Sequence, residues 1–441
     1  MVKTDKITDN CNMRKIAVIS FFLTGIFIIC PQTQGQNISG PVILAMTETG
    51  AYSIIERSNW RRYNNGRYIG LVVNEVRANI LPRQIEEKRG SSRGGLLYQG
   101  NFFIMQNTRR DMQQVAQAVD KMVPVSFELW ENGAIKIEND RGFPRMRDFP
   151  VFPNESILPG ARWRAPGSHA SDPLNTGRPL IIPFIAEYEY RGIEIYRDIQ
   201  VHRIFAVYAS RYQNNSPAEN GFSGGNDISS VQGSHRVDIL IRVDDGLLVF
   251  MQDNLDVTYT LADGSTAKFL GFTLTFGQVI VPMDRAEIIA SLEKTLNPED
   301  DHAPGSISPV INVPGFQDSS IDLTPVPEGI RLTIRDIRFV PDSAEFLPEE
   351  RYRLDLIAEA LRQIPDRTFL VEGHTAAVGL PASEMALSIE RAKHMVDELV
   401  HRGINADRFI YNGWGGTRPI DDNSSADGRS RNRRVEITIL E

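Results

Sequence analysis

The sequence predicts a multi-domain chain in which β-rich (α+β) N-terminal modules precede a C-terminal α+β domain of order βαβαββ. Three observations carry that expectation. The 441 residues amount to about three domains at roughly 150 residues each. Period-two alternation dominates the first two thirds. A proline-rich break then gives way to clean alternation of helical and strand periodicities.

Composition sets outer bounds. Hydrophobic content of 41% and charged content of 24% are those of an ordinary globular chain. With 48 Lys and Arg against 56 Asp and Glu, the net charge is −8, which argues against a nucleic-acid footprint because phosphate contacts need a basic face. No nucleic-acid partner is expected.

At the N-terminus, residues 16–29 read IAVISFFLTGIFII after Arg14 and Lys15. That run is short for a spanning helix of about 20 residues and suits the apolar region of a secretory signal peptide. Residues 1–35 are therefore expected to be a signal peptide, with Thr33 and Gly35 as small residues before a cut at Gln36. Lipoprotein processing at Cys30 and a retained anchor are the alternatives. Both cysteines, Cys11 and Cys30, precede the cut, so no disulfide or thiolate metal site is expected beyond it.

Residues 36–160 and 161–297 are expected as two β-rich domains. Val237, Ile239, Ile241 and Val243 alternate with Arg236, Asp238, Leu240 and Arg242 before the turn at Asp244, Asp245 and Gly246. Similar runs are Leu270, Phe272, Leu274, Phe276 and Phe184, Ala186, Tyr188, Tyr190, with hairpin signals at Asn65-Gly66, Asn132-Gly133 and Asp263-Gly264. Two helices are expected within this region. Residues 108–122 place Met112, Val115, Ala116, Val119 and Met122 at helical spacing, and residues 284–297 place Ile288, Leu292 and Leu296 likewise, with Asp284 as N-cap. The second helix is expected to close the β-rich region. Residues 298–328 carry six prolines and read as a linker.

Beyond it, Leu332, Ile334, Ile337 and Phe339 suggest a strand, and Pro348 opens a helix with Leu354, Ile357, Ala358, Leu361 and Ile364 on one face. A strand over 369–372, a helix over 384–402 stopped by Gly403, a strand through Phe409 and Tyr411, and a terminal strand with Val435, Ile437 and Ile439 complete residues 329–441.

Five blocks in these residues carry a family resemblance. They are Phe339-Val340-Pro341-Asp342-Ser343-Ala344-Glu345, Glu372-Gly373-His374-Thr375, Leu387-Ser388-Ile389-Glu390-Arg391-Ala392, Asn412-Gly413-Trp414-Gly415 with Pro419-Ile420, and Asn432-Arg433-Arg434-Val435. In order and spacing the segment resembles the OmpA-like peptidoglycan-binding domain family. The resemblance implies non-covalent binding of the diamino acid of the peptidoglycan stem peptide, with Arg391 on its carboxylate and an aspartate after Gly-His-Thr on its ammonium. A planar guanidinium suits that carboxylate. It also nominates Thr375, Asp342, Leu387 and Arg433 around the pocket. Here the aspartate position is Ala376, and Glu384 stands where the family usually has Asn. Spirochaetal members look similar in having Ala after Gly-His-Thr, and their walls carry ornithine in place of diaminopimelate. Loss of the anion is expected to weaken or alter binding, with Glu384 as a candidate replacement charge.

Competing readings stand beside these. Arg391 pairs merely with Glu372 or Asp427; Glu384 only favours a helix dipole; Trp414 packs; His374 is a hydrogen-bonded turn residue. The seven histidines show no metal-site spacing, and no nucleophile elbow or phosphate loop occurs, so no enzyme activity, cofactor or metal is expected. The expected partners are peptidoglycan and an unknown envelope protein held by residues 36–297, in the periplasm. Two alternatives are a domain that has lost peptidoglycan binding and serves protein recognition, and an outer-membrane barrel, which the interrupting helices and in-strand charges oppose.

Overall fold

The computed structural model describes residues 40–47, 50–83, 95–107, 117–174, 176, 178–214, 228–281, 283–296, 321–335, 337–340, 343–364 and 366–441. The expected signal peptide, Cys30 and Asp342 lie outside them, as does most of the expected linker.

The first thirteen strands are β1 (Ala51–Asn64), β2 (Arg67–Pro82), β3 (Leu96–Asn107), β4 (Gln117–Ala118), β5 (Lys121–Leu129), β6 (Ile135–Ile137), β7 (Met146–Arg147), β8 (Arg162–Ser171), β9 (Leu180–Tyr196), β10 (Ile199–Gln213), β11 (Ile228–Arg242), β12 (Leu248–Leu261) and β13 (Thr266–Ile280). All but β4 join one 12-stranded antiparallel sheet, ordered β6-β5-β3-β2-β1-β13-β12-β11-β10-β9-β8-β7. The hairpins form where expected. Asn65 and Gly66, with φ of 47° and 79°, make the β1–β2 turn whose twist matches the flanking strands.

This sheet corrects the expectation of two β-rich domains. β1 and β13 pair from Ala51↔Ile280 to Asn64↔Ala267, so segments on both sides of residue 160 share one ladder. Alternation reports which face is buried, and gives no information on which strand lies alongside. Along β9, Ile182, Phe184, Ala186, Tyr188 and Tyr190 are buried, while the opposite face carries the exposed pairs Arg162–Glu189 and Arg164–Glu187. Exposed Ile181 and Ile185 share that outer face. On β13 the expected apolar run faces outward: Phe269 and Thr275 are buried, whereas Phe272 is exposed.

The expected helix over 108–122 is also corrected. Residues 108–116 lie outside the description, and 117–118 and 121–129 are strands β4 and β5. Val123, Val125 and Phe127 of β5 face the core at every second position, and that period prevails over helical spacing.

The remaining elements are α1 (Arg285–Leu296), β14 (Ile321–Val326), β15 (Gly329–Arg335), α2 (Arg351–Arg362), β16 (Phe369–Gly373), α3 (Pro381–His401), β17 (Phe409–Gly413), α4 (Ala426–Asn432) and β18 (Arg434–Leu440). From β14 onward the order is thus β-β-α-β-α-β-α-β, one strand and one short helix more than expected. Ile321–Val326, assigned to the linker on its prolines, is an edge strand on β15, where a missing N–H is tolerated. Their sheet runs β14-β15-β18-β16-β17-β4.

Helix α1 begins as expected, with Asp284 Oδ1 accepting from the Glu287 N–H at 3.0 Å. It does not close the large sheet: Leu292 and Leu296 join the core formed by Leu354, Ile357 and Leu361 of α2 and the inner face of β15 and β18. The other face of the small sheet meets the large one. Leu370, Ile410 and Leu440 pack on Phe103, Met105 and Val119, and β4 adds in parallel to β17. Arg77 donates to the Asp407 carbonyl at 2.6 Å, and Met283 N–H to Glu441 Oε1 at 3.1 Å. The C-terminal domain is therefore docked, and every residue of β18 is buried.

Candidate functional site

Strands β16 and β17 end side by side at Gly373 and Gly413. A β-carbon would lie 2.1 Å from the Ser388 carbonyl at the first and 2.3 Å from Ser388 Oγ at the second, so only glycine lets α3 lie directly on both strand ends. Ser388 Oγ accepts from the Gly415 N–H at 2.9 Å and donates to the Met385 carbonyl at 2.8 Å, and Thr375 N–H donates to the Gly415 carbonyl at 3.0 Å. These contacts gather residues 375–377, 384–388 and 414–416 at one end of the domain.

Arg391, three residues beyond Ser388, reaches toward residues 339–346. Its Nε donates to the Ser343 carbonyl at 3.3 Å, and the guanidinium stands 4.3 Å from the centroid of Phe339. It is 8% exposed. Ala376 is 4% exposed, so the position expected to hold an anion is a buried methyl. Glu384 Oε1 accepts from the Val378 and Gly379 N–H groups at 2.7 and 2.6 Å, which makes it the brace of the loop ahead of α3. Thr375 is buried, Leu387 half-buried, and Arg433 exposed, with its N–H capping α4 on the Arg429 and Ser430 carbonyls.

A polar layer supports this end from behind. Glu372 is buried; desolvation raises its pKa although Trp414 Nε1 donates to it at 2.6 Å. Arg418 lies 3.3 Å from the Trp414 ring centroid, so Trp414 bridges two charged groups as well as packing. His374 is pushed down to about 2, mainly by burial and further by Arg434, Arg418 and Arg331, and it stays neutral. Both its ring nitrogens are buried without a hydrogen-bond partner among the described residues, as is Thr375 Oγ1. Glu436 takes the Arg434 guanidinium at 2.6 Å. Among the described residues no group of three or more His, Cys, Asp or Glu is arranged to hold a metal ion.

Residues 338–433 match the OmpA family, and the chain carries a C-terminal OmpA-like domain. Outer membrane protein A of Bordetella avium is 38% identical over 117 residues, covering 26% of this chain and 60% of that protein. The peptidoglycan-binding protein ArfA of Mycobacterium tuberculosis is 36% identical over 103 residues, covering 23% of this chain and 32% of that protein. The solved cell wall anchor of the T6SS from Pseudomonas aeruginosa is 34% identical, over 27% of this chain and 87% of that one, with a TM-score of 0.25. The chain thus spans less than two thirds of these first relatives' length. The family match and these sequence relatives place the protein in the cell envelope, associated with the cell wall or outer membrane.

Proposed function

We propose that this is a non-enzymatic envelope protein whose OmpA-like domain binds peptidoglycan weakly or with altered specificity for the stem-peptide diamino acid. One observation carries the reading: the cation position is kept at Arg391 while the anion position is the buried methyl of Ala376. A zwitterionic amino-acid end needs both charges. Without the anion its ammonium loses a charge-assisted hydrogen bond of about 1.5–3 kcal/mol, or about 10- to 100-fold in affinity. The bracing of residues 378 and 379 by Glu384 supports a structural role for that carboxylate rather than a replacement one. The seating of Arg391 on Phe339 favours a second reading, in which the domain has lost wall binding and serves protein recognition.

Sedimentation with isolated sacculi separates them. The chain beyond residue 35 would be compared with Arg391→Ala and Ala376→Asp, on walls containing diaminopimelate and walls containing ornithine. Binding that is lost in Arg391→Ala upholds the anchor; binding that appears only in Ala376→Asp shows a disabled pocket and turns attention to the large sheet.

A further inference from the structure

The large sheet holds a cavity of about 190 Å³, more than ten times the 10–15 Å³ that one water needs. Its walls come from both arms of the sheet: Trp60 and Asn74 of β1 and β2, Thr275 of β13, and His169, His235 and Asp253 of β8, β11 and β12. Asn74 Oδ1, His169 Nδ1, Asp253 Oδ1 and Thr275 Oγ1 are all buried without a hydrogen-bond partner among the described residues. Each of these residues is at least nine-tenths buried, and all four line this one cavity. Buried polar atoms are normally satisfied, and four such orphans around one space are the signature of something that fills it.

A hydrogen-bonded relay orients the acidic side. Ser210 Oγ lies 3.0 Å from His235 Nε2, and His235 Nδ1 lies 2.8 Å from Asp253 Oδ2. The order is that of an acyl-transfer triad, but Ser210 is wholly buried and is not among the residues lining the cavity, so no substrate there reaches its hydroxyl. The relay instead fixes Asp253 with Oδ1 left over. Two of the four orphans, Asn74 Oδ1 and Asp253 Oδ1, are pure acceptors and call for donors on the ligand. Charge does not favour an ion. Lys121, Arg141 and Arg145 line the same space as Glu56, Asp172 and Asp253, and Arg145 is already paired with Glu56 at 2.8 Å. Leu255, Val257 and Phe269 supply apolar wall.

We propose that this cavity binds a neutral, hydroxyl-rich molecule of monosaccharide size, its hydroxyls donating to Asn74 and Asp253 and its carbon face against the apolar wall. The test is calorimetry and saturation-transfer NMR on the whole chain beyond residue 35, with glucose, galactose and N-acetylglucosamine, beside putrescine and succinate. At least one sugar is expected to bind saturably, about 10- to 100-fold more weakly in Asp253→Asn and about 2- to 10-fold more weakly in Thr275→Val. Thr275→Val is the control for folding. It replaces an unpaired hydroxyl by a methyl of the same shape, so its melting temperature is expected to be equal or higher while sugar binding falls. Failure of every sugar to bind at high millimolar concentration leaves a solvent-filled cavity and overturns the proposal. So does binding of putrescine or succinate in place of sugars, or sugar binding that neither variant changes.

Discussion

Acid should loosen this protein through histidines that the fold keeps neutral. His374 is 2% exposed, and its pKa of about 2 lies far below the 6.5 of an exposed imidazole. A group depressed in the native state takes up its proton only on unfolding. Stability is therefore fully present above pH 6.5 and is lost as pH falls from there toward 2. Between pH 7 and 5 the unfolded imidazole goes from about one-quarter to nearly fully protonated, which is about 2 kcal/mol for this one residue. His169 and His202, held near 3 and 4 by burial, add similar amounts. Glu372 works the other way, since its raised pKa lets the native state accept a proton. Urea unfolding followed by tryptophan fluorescence at pH 7, 6 and 5 reads the slope. Replacing the imidazole in His374→Gln should flatten it by about 1 kcal/mol between pH 6 and 5. An unchanged slope in the variant, or an NMR titration of His374 near 6.5 in the native protein, would refute the reasoning.

Three further outcomes follow from the geometry. Glu384→Ala should cost about 0.5–2 kcal/mol in urea unfolding, because two backbone N–H groups at 378 and 379 in an exposed loop lose a charged acceptor, and Glu384→Gln should cost less. Phe103→Ala, at the contact between the two sheets, should lower stability by about 3–5 kcal/mol and speed amide exchange along β17, which hydrogen-exchange mass spectrometry would detect. Arg391→Lys keeps the charge but loses the guanidinium seated over Phe339, worth about 0.5–2 kcal/mol; it should reduce any sacculus binding nearly as much as Arg391→Ala does.

Much of the C-terminal domain was legible because its signals are local. Helical spacing named the buried face of α2, and Gly403, with φ of 93°, stops α3 where a β-carbon would be strained. The five motif blocks located the strand ends that the structure gathers around Ser388 and Gly415. Their spacing could not show what Arg391 rests on, since Phe339 and Ser343 meet it across about fifty residues of chain. It also could not show that Glu384 turns back onto its own loop.

The large sheet was illegible in a more instructive way. Its strands and turns are written in period two, yet β1 pairs with β13 across some two hundred residues, and nothing in either strand's alternation names the other. Ser210, His235 and Asp253 are spaced by 25 and 18 residues, which fits no local motif, and they meet only because β10, β11 and β12 are neighbours. The docking of the C-terminal domain hid itself for the same reason. Alternating Val435, Ile437 and Ile439 promised a strand with one wet face, whereas Leu440 and its neighbours Leu370 and Ile410 bury the other face on Phe103 and Met105. With one face of its sheet covered by helices and the other buried on Phe103 and Met105, the domain is not a freely swinging tether.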